Sequence, residues 1–240
     1  MRAARSGFRV SRPRSSWFGV TGISADSRAL LGVFGGTFDP VHRGHVAVAC
    51  ALMRALPLSR IVFVPAARPP HRPAPFADAR HRLAMLRLAL AGDPRFDIDE
   101  IEYEREGPSY MVDTLAILRA RHDRPLALIL GADAFAGLPA WHRWRRVLGL
   151  AHVIIVSRPG FDDRLPEWVR PRLVRCAADL LDADHGRALR FTASARPESA
   201  TALRQALADG IAPEAWLPPG VPAYIEAHGL YRRSSHHDEG

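Results

Sequence analysis

Residues 35–45 read GGTFDPVHRGH and combine glycines with two histidines three residues apart, His42 and His45. Glycine lets a backbone approach a phosphate closely, because no side chain intervenes. Two histidines three apart at a helix start share one face, and their rings can donate hydrogen bonds to negative oxygens. The helix N-terminus adds unpaired N–H groups and a positive dipole end. The string therefore indicates a phosphate-binding loop.

Two other interpretations of residues 35–45 stay open at this point. A glycine turn with two solvated histidines would explain a lone His-x-x-His pair. A metal site would need further ligands, and no third one follows His42 and His45 at a fitting spacing. The whole string between an apolar run and a helical pattern is more specific than either part, which favours phosphate binding.

A second candidate for phosphate chemistry is the segment 199–204, which reads SATALR. Ser199 and Thr201 can cap a helix and can also donate hydroxyl groups to phosphate. Arg204 can contact two phosphate oxygens at once. Taken alone, the segment fits an ordinary N-cap followed by a surface arginine. Together with residues 35–45, it favours a second grip on the same polyphosphate.

Three further residues could bind the rest of a nucleotide-like ligand. Trp141 can stack on a flat ring, Arg158 can pair with a phosphate, and Asp133 can accept hydrogen bonds from a ribose or a base. Each also has an ordinary structural explanation. These are a core tryptophan, a surface arginine and an aspartate at a helix N-cap.

The elements that must position these residues alternate between short apolar runs and helical patterns. Continuously apolar strands are typical of a parallel sheet covered on both faces. We therefore predict an α/β fold, a Rossmann-like, doubly wound parallel sheet with helices on both faces. The predicted strands are 30–34, 61–65, 96–98, 126–130 and 153–156, and the helices are 44–56, 78–91 (N-cap Asp78), 109–121 (N-cap Ser109), 199–209 and 221–228.

In a parallel sheet, ligands bind at the carboxyl ends of the strands, near the point where strand order reverses. Four loops leave predicted strand ends, and we expect them to converge on one site. They begin at Gly35, Pro65, Gly131 and Ser157.

Charge and composition narrow the class of protein. The chain has 240 residues, a net charge of +8 and 33 basic residues, all of them arginine. The absence of lysine excludes a Walker A loop and Schiff-base catalysis by lysine. Residues 1–29 carry +5 of the charge, which leaves +3 for the rest. A non-catalytic RNA-binding protein is the alternative that the basic balance suggests, but charge concentrated in a tail argues against it.

The predicted organisation is one domain, 30–233, between a disordered basic tail, 1–29, and a short tail, 234–240. No apolar run is long enough to cross a membrane. Two cysteines without metal spacing, Cys50 and Cys176, favour a reducing cytoplasm over a disulfide framework.

Residues 35–45 resemble the signature of nucleotidyltransferases with a His-x-Gly-His type motif, in the form found in bacterial nicotinate-nucleotide adenylyltransferases. Residues 199–204 resemble the Ser-x-Thr-x-x-Arg motif of the same family. The resemblance runs from residue 30 to residue 233. It also includes PPHR at 69–72, PSYMVDTL at 108–115, GAD at 131–133, LPAW at 138–141 and SRPG at 157–160.

The resemblance implies adenylyl transfer from ATP to nicotinate mononucleotide in NAD biosynthesis, with Mg²⁺ bridging the triphosphate. It implies that His42 and His45 stabilise the α-phosphate and that Arg204 holds the leaving pyrophosphate. The implied ATP-binding residues are Gly35, Gly36, Thr37, Phe38, His42, His45, Gly131, Asp133, Ser199, Thr201 and Arg204. The implied mononucleotide-binding residues are Tyr110, Met111, Trp141, His142 and Arg158.

The chain departs from the family's usual pattern at a few positions. Met111 replaces a common threonine, Glu198 replaces a common isoleucine, and 66–67 reads AA where polar residues are common. In the family, backbone amides near Tyr110 and just after Trp141 hold the nicotinate carboxylate, and backbone donors survive a change of side chain. Nicotinamide mononucleotide and phosphopantetheine remain alternative acceptors. We expect no nucleic-acid or membrane partner, and a monomer or weak homo-oligomer.

Overall fold

The computed structural model describes residues 29–70, 73–157, 165–193, 199–211 and 213–232. Its centre is a six-stranded sheet in which every neighbouring pair is parallel, in the order β3-β2-β1-β4-β5-β6. Strand order therefore reverses between β1 and β4. The strands are β1 Leu30–Gly36, β2 Leu58–Pro65, β3 Phe96–Ile98, β4 Leu126–Gly131, β5 Ala151–Ser157 and β6 Ala188–Thr192.

Eight α-helices in the described ranges connect and cover these strands. They are α1 Arg43–Ala55, α2 Ala79–Leu90, α3 Ile101–Glu104, α4 Met111–Arg121, α5 Ala132–Ala136, α6 Trp144–Leu148, α7 Ala200–Ala208 and α8 Val221–Ala227. Short 3₁₀ turns occur at Leu138–Ala140, Glu167–Arg172, Ala178–Asp182 and Glu214–Trp216.

Successive residues of the central strands enter two hydrophobic cores, one on each face of the sheet. Ile61 packs in the core beneath α1, α2, α7 and α8, whereas its neighbour Val62 packs in the core beneath α4, α5 and α6. Burial on both faces explains why these strands are continuously apolar. The predicted α/β doubly wound parallel sheet is confirmed.

The structure has the predicted N-cap residue at the start of two helices and a different one at the start of a third. The Asp78 side chain accepts from the His81 N–H at 2.9 Å, and the Ser199 side chain accepts from the Ala202 N–H at 3.1 Å, so both are N-caps. The prediction that Ser109 caps α4 is wrong. Tyr110 is the N-cap, and the Ser109 hydroxyl instead accepts from the Arg68 N–H at 3.0 Å.

Strand β6 was not predicted, because its residues contain no continuous apolar run. It lies at the edge of the sheet, where β5 is its neighbouring strand and its other side is bridged at Ala188 by Leu173. The predicted tails 1–29 and 234–240 lie outside the described residues, apart from Ala29. No helix in the described part of the chain combines the length and apolar character that crossing a bilayer requires.

His152 is fully buried in β5, and burial lowers its pKa below the ordinary value of 6.5. Its Nε2 donates to the Ala183 carbonyl at 2.9 Å, and its Nδ1 accepts from the Arg187 N–H at 3.3 Å. Both bonds fit the neutral ring. The unfolded chain therefore binds a proton more readily than the folded chain does in the range below pH 6.5.

We expect the contribution of His152 to the free energy of unfolding to be fully present above pH 6.5 and to be lost progressively as the pH drops below that value. His152→Gln keeps a side-chain donor for the Ala183 carbonyl but does not titrate. Urea unfolding at about pH 7.5 and about pH 5.5 should show a weaker pH dependence in this variant. His122→Gln, at an exposed histidine, is the control. The prediction would be contradicted if the free energy of unfolding changed equally between the two pH values in the wild type and both variants.

Candidate active site

A cavity of about 990 Å³ opens at the carboxyl ends of the strands, at the reversal of strand order between β1 and β4. The loops after β1, β2 and β4 line it, and Val156 adds the end of β5. The first turns of α1, α4 and α7 also face it. Three of the four predicted loops thus converge on one pocket, and most of the fourth lies outside the described residues.

Nearly all residues singled out from the sequence line this pocket. Thr201 does not line it, and its hydroxyl accepts from Arg204 Nη2 at 3.3 Å. Arg158 and Glu198 lie outside the described residues. The predicted residues that line the pocket are Gly35, Gly36, Thr37, Phe38, His42, His45, Tyr110, Met111, Gly131, Asp133, Trp141, His142, Ser199 and Arg204.

His42 and His45 stand together at the start of α1, with ring centroids 3.7 Å apart and planes 28° apart. The backbone N–H of His42 donates to Nδ1 of His45 at 3.2 Å. A neutral imidazole that accepts at Nδ1 carries its proton on Nε2, so His45 has a donor at Nε2. The His45 ring also packs against the Phe38 ring in a T-shaped arrangement, with centroids 5.2 Å apart, which restricts the orientation of His45.

The two glycines that end β1 lie so close to neighbouring side chains that neither position has space for a Cβ. A Cβ on Gly36 would lie 2.9 Å from the Phe38 ring, and a Cβ on Gly35 would collide with the terminal methyl group of Met111. Phe38 is buried and has a φ of 49°. The loop is therefore tightly packed around its glycines and brings backbone directly to the pocket.

Arg204 reaches the phosphate-binding loop from α7, across 165 residues of sequence. Its Nη1 donates to the backbone carbonyl of Asp39 at 2.8 Å. Its guanidinium lies over the Phe76 ring, 4.8 Å from the centroid, although Phe76 is 74% exposed. The arginine is thus oriented by backbone and aromatic contacts while it lines the same pocket as the histidines.

Asp39 connects four parts of the pocket wall, a role that the sequence did not reveal. Its buried carboxylate accepts from the N–H groups of Phe76 and Ala77, at 2.8 and 3.1 Å, and from the Tyr231 hydroxyl at 2.8 Å. Its own carbonyl binds Arg204. The only sequence signal was its place in the string 35–45.

The opposite wall of the pocket carries aromatic rings. Tyr110 and His142 stack on each other with centroids 4.4 Å apart and planes 29° apart, and half-buried Trp141 lies beside them. Asp133 is not an N-cap, because Gly131 caps α5 and Asp133 lies in the first turn. This wall can accommodate a flat ring beside polar groups.

Glu102 is a second buried acid at the pocket that sequence reasoning missed. It accepts from the Thr114 hydroxyl at 2.7 Å and is 3% exposed. Burial raises the pKa of Glu102 above its ordinary value. A glutamate in the acid-rich stretch 99–106 carries no sequence signal that distinguishes it from its exposed neighbours.

Comparison with known proteins places this chain among enzymes of one kind. Residues 33–206 match the family described as cytidylyltransferase-like. Two relatives are named probable nicotinate-nucleotide adenylyltransferase. The protein of Acidithiobacillus ferrooxidans is 43% identical over 208 residues, covering 84% of this chain and 95% of the relative. The protein of Methylococcus capsulatus is 41% identical over 210 residues, covering 85% and 100%.

Solved structures share the fold. Plasmodium falciparum nicotinic acid mononucleotide adenylyltransferase complexed with NaAD matches with a TM-score of 0.64 and 17% identity, over 85% of this chain and 98% of that one. The same protein complexed with APC matches with a TM-score of 0.62 and 17% identity, with the same coverage.

Proposed function

The chain belongs to the family of nicotinate-nucleotide adenylyltransferases, which are nucleotidyltransferases of NAD biosynthesis, and we propose that its pocket joins the AMP part of ATP to nicotinate mononucleotide. The products are nicotinate adenine dinucleotide and pyrophosphate. The observation that carries the proposal is the meeting of Arg204 with the loop of His42 and His45 in one pocket. A triphosphate could be held there at both ends.

In the proposed reaction the phosphate of the mononucleotide attacks the α-phosphorus of ATP in line, and pyrophosphate leaves. The nucleophile is already an anion, so no covalent enzyme intermediate is needed. Catalysis then consists of positioning and charge stabilisation. His42 and His45 donate to oxygens of the reacting phosphate, and Arg204 takes the departing β- and γ-phosphates. Gly35, Gly36, Thr37, Phe38, Gly131, Asp133 and Ser199 complete the proposed ATP site, and Thr201 supports it through the hydrogen bond that its hydroxyl accepts from Arg204.

Mg²⁺ fits this pocket as a partner of the nucleotide. In the described part of the chain, no three histidine, cysteine, aspartate or glutamate side chains are grouped to hold a metal ion. Mg²⁺ keeps several waters and binds through substrate phosphates with few protein ligands, so the residues present suit it. When bound, it would neutralise charge on the triphosphate. His45 and Arg204 would then orient the oxygens that the ion leaves free.

The acceptor would occupy the aromatic wall. A pyridine ring fits beside Trp141, Tyr110 and His142, and the N-terminus of α4 at Met111 supplies backbone N–H groups suited to a carboxylate. The relative solved with NaAD supports an acceptor of this class. Pairing of the mononucleotide phosphate with Arg158 stays a prediction. The cytoplasmic location and a monomeric or weakly associated state also stay predictions.

A pyrophosphate-release assay with ATP, Mg²⁺ and one acceptor at a time tests the proposal. We expect release with nicotinate mononucleotide and far less with nicotinamide mononucleotide or phosphopantetheine. No release with nicotinate mononucleotide, together with release with another acceptor, would show that the acceptor is wrong. Chelation of Mg²⁺ should abolish release, and restoring the ion should recover it.

A further inference from the structure

We propose that Arg82, a residue of α2 that does not line the pocket, is the positioning residue for the phosphate-binding loop. The inference rests on the proposed function, because it explains how the loop of Thr37 and Phe38 is held in the shape that ATP requires. Arg82 is 1% exposed and has one of the largest fully buried side chains of the described residues.

The guanidinium of Arg82 joins three separate loops through their backbone carbonyls. Nη1 donates to Thr37 after β1 and to Ala66 after β2, both at 2.7 Å. Nη2 donates to Ala67 at 3.2 Å, and Nε donates to Ala77, before α2, at 3.2 Å. A planar fork of five N–H groups can hold these diverging carbonyls at once, which no other side chain can do.

The surroundings of Arg82 indicate that it is present for these contacts and not as half of an ion pair. Within the described ranges, no carboxylate lies within ion-pair distance of its guanidinium. Burial of a charge without a paired acid is costly, and an apolar side chain would fill the same space. The carbonyls compensate for that cost only if all three loops keep their present geometry.

The contact with Thr37 determines which way one peptide group faces. The peptide bond between Thr37 and Phe38 is trans. In a trans peptide the carbonyl and the following N–H point in opposite directions. Because Arg82 binds the Thr37 carbonyl, the Phe38 N–H points away from Arg82, and both Thr37 and Phe38 line the pocket that Arg82 does not.

Without Arg82 the Thr37–Phe38 peptide could rotate, and the pocket would present a carbonyl where a phosphate needs a donor. The same arginine fixes residues 66–67 against residues 37–38. Arg82 would thus act on the reaction through backbone geometry, without touching the substrate.

Two variants test this role. Arg82→Met keeps the buried volume but removes every donor, and Arg82→Lys keeps the charge but loses the fork. Leu118→Ala, in the buried face of α4 near its far end, controls for lost stability. Arg119→Met controls for loss of an arginine–carbonyl bond, since Arg119 Nη1 donates to the Arg124 carbonyl at 3.0 Å outside the pocket.

We expect kcat to fall by roughly 10- to 50-fold in Arg82→Met and by about 10-fold in Arg82→Lys, as for a misplaced donor. Both controls should stay within about threefold of the wild type, at matched melting temperature. The rise in melting temperature on adding ATP should shrink in both Arg82 variants and not in the controls.

Wild-type-like kcat and ATP response in Arg82→Lys would overturn the proposal, and this variant decides if Arg82→Met does not fold. A wild type that releases no pyrophosphate with any acceptor would instead refute the proposed function. The ATP-induced shift would then still report on Arg82, because it needs no acceptor.

Discussion

Replacing His45 with alanine is expected to lower turnover by on the order of 10² or more, as for the loss of one donor to a developing charge. Nδ1 of His45 accepts from the His42 N–H, and packing against Phe38 restricts the ring, so Nε2 carries the donor proton that the mechanism assigns to a phosphate oxygen. Alanine removes that donor, and because alanine favours the helical conformation, the substitution should leave α1 intact. Steady-state kinetics with saturating ATP and nicotinate mononucleotide measure the loss directly.

A second substitution at the same position sharpens the test. The side-chain amide of His45→Gln can supply a donor, so this variant should retain more turnover than His45→Ala. His122→Ala, at an exposed histidine that ends α4, should leave turnover unchanged. Near-normal turnover in His45→Ala would remove the histidine from the proposed mechanism.

Arg204→Met is expected to lower kcat/KM for ATP by on the order of 10², the range for losing hydrogen bonds to a charged group. The Asp39 carbonyl and the Phe76 ring restrict the orientation of Arg204, so that its remaining N–H donors are positioned for the leaving phosphates. Product inhibition by pyrophosphate should weaken in parallel. The KM for nicotinate mononucleotide should change little, because the acceptor lies against the other wall.

Arg204→Lys separates charge from shape. A lysine keeps the positive charge but not the fork, so we expect a loss intermediate between wild type and Arg204→Met. Arg119→Lys, whose arginine binds a backbone carbonyl outside the pocket, is the matched control. If the variants raised the KM of the acceptor and left that of ATP unchanged, Arg204 would belong to the acceptor site instead.

The fold was predictable because its strongest signals are local. Val33 and Val62 lie in strands that are buried on both faces, so their apolar runs stand out from the sequence. Asp78 and Ser199 bind N–H groups within their own helices, and both caps were predicted correctly. Ser109 was misassigned because its hydroxyl accepts from Arg68, a contact 41 residues away that no local pattern contains.

The residues of the candidate site likewise fall into those with a local sequence signal and those that only the folded structure reveals. The string 35–45 and the segment 199–204 could be found because each contains its chemistry in consecutive residues. Arg82 could not be found, since an arginine within a helical pattern normally faces solvent, and its burial results from three loops that fold over it. Asp39 and Glu102 were missed for a similar reason, because the hydroxyl partner of Asp39 lies 192 residues away and that of Glu102 lies 12 residues away in another helix.

The bond between the Asp39 carboxylate and the Tyr231 hydroxyl joins residues 192 positions apart. A chain that ends before residue 231 therefore lacks one part of the wall around Asp39. Without Tyr231, the Asp39 carboxylate keeps the N–H groups of Phe76 and Ala77 but loses its hydroxyl donor. We expect a chain truncated before Tyr231 to consume ATP more slowly than the full chain, because the carboxylate beside the loop of His42 and His45 has lost one of its three donors.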